Sequence, residues 1–108
     1  MLNTGGHLYR YAVQLTMIRS FRHRGLKRLY ERGDRSQISG IHLNRIEDII
    51  ARLDIATSPS DMNLPGYALH QLKGDLKGFW SVKVSGNWRI IFRFEDGDAF
   101  DVSLIDYH

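Results

Sequence analysis

From Gly78 onward the side chains alternate with a period of two. Trp80, Val82 and Val84 alternate with Ser81 and Lys83, and SGN at 85–87 turns the chain. Trp88, Ile90, Phe92 and Phe94 alternate with Arg89, Ile91 and Arg93, and EDGD at 95–98 turns it again. Phe100, Val102 and Leu104 then alternate with Asp101 and Ser103. Successive residues of a strand point to opposite faces, so each of these strands has one apolar face that must be covered. Three such strands joined by tight turns predict an antiparallel meander. The face with Trp88, Ile90 and Phe92 is expected to lie against helices, which sends Arg89 to an opposite, open face.

The cover comes from the first half of the chain. Leu43, Ile46, Ile49, Ile50 and Leu53 recur at three- and four-residue steps, with Asn44, Arg45, Glu47, Asp48 and Arg52 between them. That spacing predicts a helix from Leu43 to Ala56 with Ser39 as a candidate cap, followed by the loop SPSDMNLPG. A shorter helix is expected to carry Leu26, Leu29 and Tyr30 and to end at Gly33. MIRSF (17–21) is a candidate further strand. Tyr9, Tyr11, Val13 and Leu15 also alternate, so a strand running into MIRSF is one reading of residues 1–16; a non-functional extension ahead of residues 17–108 is preferred. Helices early and a hairpin-connected sheet late define an α+β domain, and 108 residues suffice for a single modest core.

No apolar run approaches the roughly 18 residues that cross a bilayer, and MLNTGGHLYRYAVQLT lacks the basic-then-apolar order of a secretory signal. The absence of cysteine excludes disulfides and thiolate zinc sites and fits a reducing compartment. The net charge of +3 is unevenly spread. Arg19, Arg22, Arg24, Lys27, Arg28, Arg32 and Arg35 crowd one stretch against only Glu31 and Asp34, while Glu95, Asp96, Asp98 and Asp101 gather near the other end. A polyanion partner and a solvated helix face both explain the basic stretch. Under the first, Arg22, Arg24, Lys27 and Arg28 are the RNA contacts.

None of the five histidines pairs with another at the i, i+4 spacing of a helical metal site, and no P-loop, GxGxxG or GxSxG element occurs. What remains is LHQLKGDLKGFW, SGNWRIIFRF and the final IDYH. They contribute His70, Lys73, Arg89, Asp106, Tyr107 and His108. Singly, each has an ordinary structural explanation. Together they supply a base, an acid and cations, the set that cleavage of RNA by its own 2′-hydroxyl requires without metal or cofactor. General RNA binding stays open beside that reading. By parity Tyr107 shares a face with Asp101 and Ser103, and Asp106 and His108 point the other way, so the three converge only if the strand breaks near Ile105.

The L-x-x-L-K-G-D-x-x-G-x-W-S block, the N-W-R-I strand and the final D-Y-H, set in a chain from Met17 to His108, resemble the HigB-type toxins of the RelE superfamily. These are the toxin halves of bacterial type II toxin–antitoxin operons. The resemblance implies a RelE-like α+β fold, an antiparallel sheet with N-terminal helices packed on one face, and ribosome-dependent mRNA cleavage in the decoding site. It ties His70, Asp106, Tyr107 and His108 to activity and likens Lys73 and Arg89 to residues that hold phosphate. Gln71 stands where close relatives often have proline. From the charges beside them, His70, near Lys73, is expected as base, and His108, with Asp106 and its own α-carboxylate, as acid. Lys73 and Arg89 would stabilise the phosphorane, and Tyr107 would stack on or orient a nucleobase. The implied partners are the ribosome with its mRNA and a helix-turn-helix antitoxin through which operator DNA is reached; the implied location is the bacterial cytoplasm, with no membrane. Two rivals are a non-catalytic RNA- or ribosome-binding inhibitor of translation and a structural partner in an operon-repressing complex.

Overall fold

Helix α1 (Arg24–Arg32) starts on an unusual cap: the Nδ1 of His23 accepts the Leu26 N–H at 3.1 Å, and burial lowers the pKa of this imidazole, which must stay unprotonated there to accept. Gly33 ends the helix in the left-handed conformation (φ 68). Gly25 allows a close approach on the buried side, since a Cβ there would stand 2.9 Å from the His23 ring and 3.2 Å from the Gln37 carbonyl. Helix α2 (Gly40–Ile55) begins three residues before the expected Leu43 and buries Ile46, Ile49, Ile50 and Leu53. Ser39 occupies the cap position, but its side chain makes no capping hydrogen bond. The computed structural model describes residues 18–108. The alternating Tyr9, Tyr11, Val13 and Leu15, like the rest of residues 1–17, lie outside the described residues.

Asp54 of α2 accepts both the Tyr30 hydroxyl (2.5 Å) and the Ile18 N–H (3.4 Å), tying the two helices to the incoming chain. Burial and this carboxylate push the Tyr30 phenol far above its ordinary range. Within the expected loop, Pro59–Met62 forms one 3₁₀ turn that buries Met62.

The sheet has four strands: β1 (His70–Gln71), β2 (Trp80–Ser85), β3 (Trp88–Glu95) and β4 (Asp98–Asp106), each antiparallel to its neighbour in the order β1-β2-β3-β4. The meander is as the alternation predicts; β1, only two residues long, is too short to carry a period. Ile18 and Phe21 bridge in parallel to Ala99 and Val102, so the described part of MIRSF lies along β4 and covers its edge. The main core joins Leu26, Ile46, Ile49 and Leu53 to Val82, Ile90, Phe92 and Val102 on the helix face of the sheet.

Two expectations about the faces fail. The face opposite the helices is not open, because Ile91 (2% exposed) packs there with Leu72 and Phe79, flanked by Leu76 and Ile105. The segment between β1 and β2 thus folds over Ile91 and makes a second, smaller core. Nor do Phe100, Val102 and Leu104 share a face. A bulge at Asp101 (φ 54) shifts the register, so that Phe100 pairs with Arg93 and Ala99 with Phe94. Asp101 is held by its N–H to the Ser20 hydroxyl (2.8 Å) and by Arg93 Nε on its carboxylate (2.9 Å). Strand β4 continues unbroken past Ile105 to Asp106.

Candidate active site

Directly opposed residues of antiparallel strands share a face. The register His70–Ser81, Ser81–Ile91 and Ile91–Ser103 therefore lays one row across the face away from the helices, and Lys83–Arg89 and Arg89–Ile105 lay the next. His70 and Arg89 thus share a face, with Ser81 between them. Ser81 is fully buried, and its hydroxyl stands 3.5 Å from Arg89 Nη1. The motif block ends on this serine, but motif reasoning gives it no role. The available signal is a small polar residue at a strand position where the neighbouring alternate residues are large.

Arg89 and Arg93 lie on this same face with opposite electrostatics. Arg93 is bound by two carboxylates, Glu95 and Asp101. Arg89 has no salt-bridge partner among the described residues, and its Nε is buried without any hydrogen-bond acceptor. A buried donor left unpaired costs about 1–3 kcal/mol. The strand thus carries one neutralised guanidinium and one without an anion.

The side chain of His70 is exposed, with Nδ1 3.2 Å from the Ala68 carbonyl. A carbonyl can only accept, so Nδ1 carries the hydrogen and the neutral ring keeps a bare Nε2, able to take a proton. The tail repeats the device: His108 Nδ1 lies 3.2 Å from Asp106 Oδ1, which accepts from it and orients that ring. Asp106 pairs across the sheet with Trp88, whose ring meets His42 of α2 at 6.3 Å, and the Tyr107 N–H bonds the Asn87 carbonyl at 2.8 Å.

Among the expected residues, then, only Asp106 and His108 touch. Because the strand is unbroken at Ile105, alternation sends Asp106 and Tyr107 to opposite faces. His70 on β1 lies three strand spacings, about 14 Å, from Ser103 of β4, and the tail is a further three residues, about 10 Å, along that strand; Asp106, opposite Trp88, is on the helix face, and Tyr107 is on the face of His70 and Arg89. Lys73 is exposed on the loop after β1, where it lines a pocket with Gln71, Leu72, Gly74, Lys77 and Gly78.

Arg22, Arg24, Lys27 and Arg28 come together around one groove of about 350 Å³, with Phe21, Glu31 and Arg32. None of these four makes a salt bridge among the described residues, whereas Arg19 is held by Asp98 and Arg35 by Glu47. The Arg22 guanidinium lies 4.9 Å above the ring of Phe79, which packs on Ile91. The basic groove therefore abuts the small core under the face that carries His70 and Arg89. Among the described residues, no helix is long and apolar enough to cross a membrane.

The family model described as the RelE-like toxin of the type II toxin–antitoxin system HigB matches residues 19–108. Endoribonuclease HigB of Proteus vulgaris is 46% identical over 92 residues, which covers 85% of this chain and 100% of that protein. Toxin HigB-1 of Vibrio cholerae serotype O1 is 32% identical over 93 residues, 82% of this chain and 95% of that protein. The chain belongs to the HigB family of RelE-like toxins of type II toxin–antitoxin systems.

Proposed function

We propose that this toxin is an endoribonuclease that cuts mRNA on the ribosome, using the 2′-hydroxyl of the message as the nucleophile. The observation that carries the reading is Arg89: a guanidinium without a carboxylate partner among the described residues, on the same face as a histidine with a bare Nε2. The Proteus vulgaris relative is an endoribonuclease by name, which supports the same chemistry. His70 Nε2 takes the 2′-hydroxyl proton, and the oxygen attacks phosphorus. The bond from phosphorus to the 5′-oxygen breaks, and that oxygen takes a proton from the His108 imidazolium held by Asp106. Arg89 and Lys73 offset the charge that grows on the phosphorane. His70 and Arg89 share the face away from the helices, whereas Asp106 pairs with Trp88 on the helix face, so in this reading His108 reaches the leaving oxygen from the end of the chain, around the end of β4. Tyr107 stacks on or orients a nucleobase.

A type II toxin has an antitoxin partner. In this reading the antitoxin is of the helix-turn-helix kind, operator DNA is reached only through it, and the toxin acts in the bacterial cytoplasm. Residues 17–108 carry the activity and residues 1–16 are dispensable, a division supported by the family match beginning at residue 19. Induced expression of the intact protein and of His70→Ala, followed by mapping of transcript 5′ ends, tests the reading. New ends within coding regions that disappear with His70→Ala are expected. Growth inhibition without new ends points to binding alone, and no effect points to a structural partner.

The basic groove gives a second expected result. If Arg22, Arg24, Lys27 and Arg28 contact RNA phosphates, replacing two of them with glutamine weakens ribosome binding and flattens its salt dependence. The log–log slope falls by about 0.7–0.9 for each phosphate no longer neutralised. Binding titrations at several salt concentrations measure it, and an unchanged slope assigns the groove to solvent or to the antitoxin.

A further inference from the structure

His70 enters the sheet through a segment whose backbone is held by a residue far away in sequence. Arg45, on α2, donates from Nη2 to the Gly66 carbonyl (2.7 Å) and the Lys83 carbonyl (2.9 Å), and from Nε to the same Lys83 oxygen (3.2 Å). Its guanidinium lies 4.6 Å from the centre of the Tyr67 ring, which is buried. The Lys83 N–H in turn bonds the Tyr67 carbonyl at 2.8 Å. One planar fork therefore joins α2, strand β2 and the residues just before β1. A lysine, with a single nitrogen and no plane, cannot span the same acceptors.

The next residue is strained. Ala68 sits at φ 48, one of three described non-glycine residues with positive φ. The other two, Asp96 and Asp101, have short polar side chains of the kind that tolerate this region, and lie in a hairpin turn and a bulge. Ala68 has neither excuse, and such a conformation persists only where the surroundings impose it. Two anchors impose it: Tyr67, fixed through Arg45 and Lys83, and His70, fixed in register with Ser81. The carbonyl that accepts the His70 Nδ1 hydrogen is that of Ala68 itself.

We infer that Arg45 is a positioning residue for His70: by clamping Gly66 and Tyr67 against β2 it holds the Ala68 carbonyl where it fixes the His70 ring with Nε2 bare. The inference rests on the reading of His70 as the base. It differs from a plain tie between α2 and β2, because it makes the tautomer of a ring that Arg45 never touches depend on Arg45.

The test uses the full chain with Arg45→Met, and with Arg45→Lys, which keeps the charge and a single donor nitrogen should the first variant not fold. Long-range ¹⁵N spectra of His70 report which ring nitrogen carries the hydrogen, and single-turnover cleavage on programmed ribosomes separates rate from affinity. In a folded variant, the Nδ1–H form of His70 is expected to give way to the Nε2–H form that predominates in a free imidazole. The cleavage rate at saturating toxin is expected to fall about 10–100-fold with ribosome affinity unchanged. In a His70→Ala background the same Arg45 change is expected to have no further effect. An unchanged His70 tautomer in a folded variant, or losses that multiply in the double variant, overturns the inference. If His70→Ala alone cleaves at the full rate, the reading of His70 as base falls and takes the inference with it. If His70→Ala is inactive while Arg45→Lys cleaves normally, only the role of Arg45 falls.

Discussion

A ribosome-bound message with a single 2′-deoxynucleotide at the cleaved position is expected to survive the toxin intact, while the all-ribose message is cut. The effect should be as large as the whole enzymatic acceleration, about a million-fold or more, because the substitution deletes the nucleophile rather than weakening an interaction with it. The residues on this face make that expectation specific. His70 presents a bare Nε2, able to take a proton; Arg89 presents a guanidinium with no carboxylate beside it among the described residues, suited to a phosphate. The same attack fixes the products: a 2′,3′-cyclic phosphate, or its opened form, on one fragment and a 5′-hydroxyl on the other. A 5′-phosphate, or efficient cutting of the deoxy message, would mean that water is the nucleophile and would remove His70 from the role given to it here.

The sheet is legible in the sequence because its evidence is local: period-two alternation and two turns, SGN and EDGD, are written in consecutive residues. The two failed expectations about faces have a common physical origin. Alternation sends Ile91 toward solvent with its charged strand neighbours Arg89 and Arg93, yet it is buried by Leu72 and Phe79, which arrive from a loop with no periodicity of its own. Asp101 fits the alternation as one more strand residue, whereas Ser20, contributed from far along the chain, helps hold it in a bulge that turns Phe100 to the other face. Strand period says which residues alternate, not what long-range packing covers them. The membership of the candidate site comes from motif resemblance. What distinguishes its members comes from tertiary structure: Arg89 and Arg93 look equivalent in NWRIIFRF, and only the folded chain gives carboxylates to one of them. Arg45, by its spacing a solvent-side residue of its helix, is a clamp for the same reason.

The contrast between the two arginines carries a second large expected effect. Arg89→Met should lower cleavage by about 10²–10³-fold, the usual cost of removing one donor aimed at charge that develops in the transition state. It should not unfold the protein. The Arg89 Nε is buried without an acceptor and its Nη1 reaches only a marginal 3.5 Å approach to Ser81, so the guanidinium adds little to the resting fold. Replacing it with an apolar side chain of similar length removes an unpaired buried donor and is expected to raise stability by about 1 kcal/mol. In a domain of this size that corresponds to roughly 4–8 °C in Tm. Arg93→Met should do the reverse, giving up its ion pairs with Glu95 and Asp101 and some stability while cleaving near the normal rate. Thermal unfolding and single-turnover cleavage of both variants decide the matter. If Arg89→Met loses stability and activity together, the guanidinium is a prop for the sheet. If it gains the one and loses the other, the strand keeps a destabilising charge because the reaction needs it.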